Sequence, residues 1–131
     1  MSSWIYAGIF LDNKSKSKLK NKFTIPQGWN KYFDHMTIVF NDGTTKAAEV
    51  KSIVDKMVNR EVRLKVVSSG ISDKAYAVHV ELPAGIPCAN KISHITLATS
   101  PTGKPVDSNY IEDWIDIYED IYVTGKIQIV S

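Results

Sequence analysis

Apolar and polar residues alternate along this chain with two different periods, and the changes between them predict a series of strands and helices. Residues 4–11 (WIYAGIFL) form an almost unbroken apolar strand, bounded by Asp12-Asn13. Either of those two residues can cap a short helix running to residue 23, with Leu19 and Phe23 one turn apart on its inner face. Residues 24–34 carry Pro26 and Gly28 and read as a loop. A second strand at 35–40 (HMTIVF) is closed by the Asn-Asp-Gly turn at 41–43. Residues 47–58 suit an amphipathic helix with Val50, Ile53, Val54, Met57 and Val58 on one side. Strands at 61–68 and 74–82 flank a turn around Gly70 to Asp73, as a hairpin would. Pro83, Gly85 and Pro87 then break the chain before a strand at 93–99. A Pro- and Gly-bearing loop from Ser100 leads to a short helix near 108–116, and residues 121–130 make the last strand. Strands outnumber helices and several neighbours look antiparallel, so the expected class is α+β.

Length and composition narrow this picture. At 131 residues the chain is sized for one domain, spanning 1–131. Hydrophobic residues at 44% and charged residues at 23% support a real core and exclude a disordered chain. The longest apolar runs are strand-sized, too short to span a bilayer as a helix, and Met1-Ser2-Ser3 opens no signal peptide. The single cysteine, Cys88, cannot build a disulfide framework or a thiolate metal site and reads as a plain buried or loop thiol. A cytoplasmic domain without a membrane partner is expected. The formal net charge of +2 is too small for a protein that wraps duplex DNA. Its distribution is uneven, with Lys14, Lys16, Lys18, Lys20 and Lys22 in one run and only acids among the charged residues of 107–120. The lysine run is either a solvated helix face or a rim that draws in an anionic substrate.

Candidate chemistry sits in the histidines. His35-Met36-Thr37-Ile38 and His94-Ile95-Thr96-Leu97 repeat one pattern, in which histidine, an apolar residue, threonine and another apolar residue follow in turn. Strand alternation puts His35 with Thr37 on one face and His94 with Thr96 likewise, while Met36, Ile38, Ile95 and Leu97 point to the core. Each motif therefore aims an imidazole and a hydroxyl at the same space. His79 lacks the second-position hydroxyl and reads as structural or surface.

The repeated motif resembles the 2H phosphoesterase superfamily, named for two such H-x-T/S motifs. The 59-residue separation of the motifs, with a helix and a hairpin between them, looks like that family, as does the opening strand Tyr6-Ala7-Gly8-Ile9-Phe10. The stretch His94 to Asn109 (HITLATSPTGKPVDSN) looks like the branch related to the phosphodiesterase domain of fungal-type tRNA ligases. The resemblance implies two-lobed, pseudo-symmetric antiparallel sheets with flanking helices. It also implies metal-independent, cofactor-free hydrolysis of nucleotide phosphodiesters, above all 2′,3′-cyclic phosphates. Some phage and viral members instead linearise cyclic oligonucleotide messengers of antiviral defence.

The residues suit that chemistry independently. In-line cleavage needs a base on the attacking oxygen and an acid on the leaving oxygen, and two imidazoles near neutral pKa fill both roles. Charge gathering on the non-bridging oxygens needs donors, which Thr37 and Thr96 can supply. No HExxH, paired-aspartate, Walker or GxGxxG pattern competes. The expected catalytic set is His35, Thr37, His94 and Thr96. Three residues are added for the substrate: Tyr6, which shares a strand face with Trp4, Gly8 and Phe10; Ser100, on the face of His94 and Thr96; and Lys104, in the following loop. The expected partner is a nucleotide: a cyclic nucleotide, a cyclic oligonucleotide or an RNA end. The competing expectation is a non-catalytic module that binds or sequesters nucleotides in the same groove, distinguished by the absence of turnover.

Overall fold

The alternation of Val62, Leu64 and Val66 with polar neighbours is the cleanest guide to the architecture, because it places one strand face wholly inside. That strand is β4 (Glu61–Ile71), and in the computed structural model, which describes residues 4–131, it pairs on both edges. The other elements are β1 (Tyr6–Leu11), α1 (Asn13–Lys22), the two-residue β2 (Asn30–Lys31), β3 (His35–Phe40) and α2 (Thr45–Val54). After β4 come β5 (Ala75–Glu81), β6 (His94–Thr99), a 3₁₀ helix (Pro105–Tyr110) and β7 (Trp114–Val130). All the strand pairings are antiparallel, in the order β2-β6-β3-β1-β7-β4-β5, so the α+β class stands.

The two-lobed expectation gives way to one closed ring. Strand β6 pairs with β3 at Met36 and Ile95, and also with β5 from Ala75 to His79, which joins the two ends of the sheet. Closure leaves one apolar interior, filled by Ala7, Ile9, Met36, Ile38, Leu64, Val66, Val78, Ile95, Leu97 and Ile127 among others. Met36, Ile38, Ile95 and Leu97 are all fully buried there, so the histidine faces of β3 and β6 look outward.

Local chemistry sets the element ends. Asp12 caps α1 by accepting from the Ser15 amide at 2.7 Å, and Thr44 caps α2 through the Ala47 amide at 3.2 Å. The second helix therefore starts and stops earlier than 47–58, at Thr45 and Val54. The helix expected near 108–116 is replaced by the 3₁₀ turn and the start of β7. Gly70 is the reason this half of β7 can dock on β4. A Cβ there would lie 2.9 Å from the Trp114 ring and 2.7 Å from Ile111, so only glycine admits both. Residues 117–120 bulge outward opposite Val67, carrying Glu119 to Lys22 (2.9 Å) and Asp120 to Lys65 (3.7 Å).

Candidate active site

The pairing of Met36 with Ile95 decides what the two motifs do together. In an antiparallel pair, continuing that register puts His35 across from Thr96 and Thr37 across from His94. Each histidine thus faces the other motif's hydroxyl. All four line one groove of about 440 Å³, with Tyr6, Tyr32, Asp34, Phe40, Asn90, Pro105, Val106 and Asn109 around them. A groove of that size suits a nucleotide-sized ligand.

The floor beneath His35 is aromatic. Its ring stacks on Tyr6 at 5.2 Å and on Phe10 at 5.0 Å, between centroids. Strand β1 can lie this close to β3 because residue 8 is glycine. A Cβ on Gly8 would stand 2.8 Å from the Met36 carbonyl oxygen. Pairing shifts by one residue between Ala7 and Gly8, so β3 carries an extra residue at Ile38. That bulge reverses the alternation beyond it. Ile38 and Val39 are both buried, and Phe40 turns out to the groove, parallel to Tyr6 at 6.2 Å and 60% exposed. On the other side, Phe33 takes a left-handed backbone (φ 57°), the kind of strained turn found beside functional sites. Its amide donates to the Thr96 carbonyl at 3.2 Å, and the turn brings Tyr32 and Asp34 to the groove wall.

His94 is held differently. Its Nδ1 donates to the Ile92 carbonyl at 2.9 Å, which leaves Nε2 as the atom able to exchange a proton in the groove. Burial lowers the pKa of both imidazoles. At His35 the Asp34 carboxylate opposes that shift and the neighbouring His94 adds to it. At His94 the Ile92 carbonyl opposes it and His79 adds to it. Thr96 Oγ1 lies 2.8 Å from Ser108 Oγ, and the Thr37 carbonyl accepts from Asn90 Nδ2 at 3.3 Å.

The structure brings together five of the seven residues expected from the sequence: His35, Thr37, His94, Thr96 and Tyr6. Tyr6 lies in the groove as a stacking partner of His35. Ser100 and Lys104 do not line the groove. Ser100 is buried, its amide bonded to the Lys74 carbonyl, because the chain leaves the sheet at Thr99. Lys104 precedes the 3₁₀ helix, where the Asp107 carboxylate accepts from its amide at 2.8 Å. His79 stands directly opposite His94 on β5, edge-on to Trp114 at 6.2 Å, and outside the groove lining. Cys88 is half-buried with its thiol pKa raised by burial. The lysine run is largely occupied within the fold. Lys16 meets Asp34 at 3.7 Å, Lys18 the Tyr122 carbonyl, Lys20 the Phe33 ring and Lys22 Glu119. Among the described residues, no three His, Cys, Asp or Glu side chains converge as metal ligands would.

Two comparisons bear on this arrangement. The family model of the fungal tRNA ligase phosphodiesterase domain matches residues 13–128. The chain belongs to that family. It is the branch of the 2H phosphoesterases that the stretch from His94 to Asn109 resembles. Among solved structures, the fold is similar to a crystal structure of a fungal RNA kinase, with a TM-score of 0.75 and 15% identity. That match covers 98% of this chain and 46% of the other, so the phosphodiesterase-family domain spans about half the length of the solved chain. No curated protein matches the sequence.

The residues that sequence reasoning missed in this family member fall into two groups. Phe40 and Tyr32 reach the groove through a bulge and a left-handed turn, neither of which leaves a mark in strict alternation. Asn90 comes from the irregular segment before β6, and Ser108 and Asn109 from the 3₁₀ helix, where the sequence offered only a short helix near 108–116.

Proposed function

We propose that this domain hydrolyses nucleotide 2′,3′-cyclic phosphates, including those at RNA ends, by general acid–base catalysis without a metal. The observation that carries the reading is the Met36–Ile95 register, which turns two sequence-distant H-x-T motifs into one facing set. Water attacks phosphorus while one imidazole takes its proton. The bond from phosphorus to one ring ester oxygen breaks, and the other imidazole protonates that oxygen. The product is a ribose phosphomonoester beside a free hydroxyl. Thr37 and Thr96 donate to the non-bridging oxygens as charge builds there.

The groove walls support a substrate that brings a base and a single phosphate into the groove. Tyr6, Tyr32 and Phe40 offer aromatic surface for a base. Among the described residues, Asp34 is the only formally charged side chain in the lining, and none of them forms a cationic track for a run of phosphates.

A panel of 2′,3′-cyclic mononucleotides, a short RNA with a 2′,3′-cyclic end, 3′,5′-cyclic mononucleotides and cyclic di- and trinucleotides tests this. Each is incubated with the protein and EDTA, and the products are resolved by mass. Multiple turnovers on the 2′,3′-cyclic compounds are expected. Opening of cyclic oligonucleotides alone would reassign the substrate to a signalling nucleotide. Stoichiometric binding without product would establish the sequestering module.

A further inference from the structure

The two motif threonines that line the groove are not equivalent, and the difference assigns a role to a residue outside both motifs. Thr37 reaches the groove from β3 with no side-chain partner for its hydroxyl among the described residues. Thr96 is tied to Ser108, Oγ to Oγ, at 2.8 Å. Ser108 is 2% exposed, on the 3₁₀ helix whose Pro105, Val106 and Asn109 wall the groove. That helix is itself fixed by Asp107, which accepts from the Lys104 amide.

Each hydroxyl carries one proton and can accept as well as donate. The Ser108 hydroxyl is buried, and Thr96 Oγ1 is its one side-chain partner among the described residues. Thr96 opens onto the groove, where a phosphate oxygen can accept from it. Only one direction satisfies both protons once a phosphate is present. Ser108 donates to Thr96, and Thr96 donates to the phosphate. The reverse direction would spend the Thr96 proton on Ser108 and leave an oxygen lone pair facing an anion.

Resting on the phosphodiesterase reading above, we propose that Ser108 is a positioning residue that aims the Thr96 hydroxyl proton at the scissile phosphate. It acts through Thr96 and touches no substrate. A donor that is itself accepting a hydrogen bond is also polarised by it, so the relay strengthens the contact as charge develops.

The test is a double-mutant cycle on a 2′,3′-cyclic mononucleotide, with Ser108→Ala, Thr96→Val, both together, and His35→Ala as reference. Ser108→Ala is expected to lower kcat about tenfold, the scale of one lost hydrogen bond. KM should stay within about twofold and the pH limbs should not move, since no titrating group is touched. In the Thr96→Val background the Ser108→Ala change should have no further effect on kcat, and the double variant should melt higher than Thr96→Val alone. A Ser108→Ala enzyme with wild-type kcat would overturn the proposal. So would an equal loss in both backgrounds, which would mark a role in helix packing alone. Failure of the wild type to turn over, or full activity in His35→Ala, would instead remove the phosphodiesterase reading and the Ser108 role with it.

Discussion

Three threonines of the histidine-bearing strands make a single substitution, Thr→Val, into a test of three different environments. Valine keeps the β-branched shape and deletes only the hydroxyl. At Thr99 the side chain is 0% exposed, on the interior face with Ile95 and Leu97, and its Oγ1 has no hydrogen-bond partner among the described residues. An unsatisfied buried hydroxyl costs about 1–3 kcal/mol, so Thr99→Val should stabilise the fold by a similar amount. For a domain of this size each kcal/mol moves Tm by roughly 3–5 °C. At Thr96 the same change strands the buried Ser108 hydroxyl, so a loss of about 1–3 kcal/mol is expected. At Thr37, half-exposed and free of such a partner, stability should stay within about 0.5 kcal/mol. Activity divides them differently. Thr37→Val and Thr96→Val each remove a donor aimed at developing charge, worth about 3 kcal/mol or on the order of a hundredfold in kcat. Thr99→Val removes none and should turn over normally. Thermal melts followed by circular dichroism, paired with kcat on a 2′,3′-cyclic nucleotide, check all three. A Thr99→Val protein that melts below the wild type would show that its hydroxyl is satisfied. Equal melting of all three variants would refute the environments assigned to them.

Titration and packing give two more tests. Burial lowers both His35 and His94, and the productive state needs one neutral and one protonated imidazole, so the kcat/KM profile should be a bell centred below about pH 6.5, the ordinary histidine value. The same shifts mean that the unfolded chain takes up these protons first: stability is whole above about pH 6.5 and falls as the pH drops through the folded values, less so in a His35→Ala, His94→Ala double variant, as pH-dependent urea melts would record. Gly8→Ala pushes a Cβ to 2.8 Å from the Met36 carbonyl and should cost about 1–3 kcal/mol while lowering kcat with the displaced His35, which melting and kinetics on the purified variant would show.

How far the sequence reaches depends on whether a feature is periodic. The repeated H-x-T strands, their core-facing Met36, Ile38, Ile95 and Leu97 and an α1 cap at Asp12 or Asn13, which falls to Asp12, were legible because each follows a local rule. The closure of the sheet into a ring was not, since the pairing of β6 with both β3 and β5 is a long-range choice that no local pattern encodes. Residues 114–116 fell within the helix expected near 108–116, yet Gly70 on a distant strand admits Trp114 and draws them into β7. Phe40 sat on the core side of a strict alternation and was moved to the groove by one extra residue. Lys104 and Ser100 followed the second motif in sequence but left the groove as the chain turned at Lys74 and Asp107. The lysine run read as either a solvated helix face or an anion-drawing rim, and its partners on β7 and at Asp34 became visible only with the fold.

The central claim is that His35 and His94 act as one acid–base unit, and single-turnover kinetics on a 2′,3′-cyclic mononucleotide in EDTA tests it most directly. His35→Ala and His94→Ala should each slow the chemical step by at least about a hundredfold, with the double variant little slower than either single. Losses that multiply in the double variant, or a rate that collapses in EDTA and returns with a divalent ion, would contradict it.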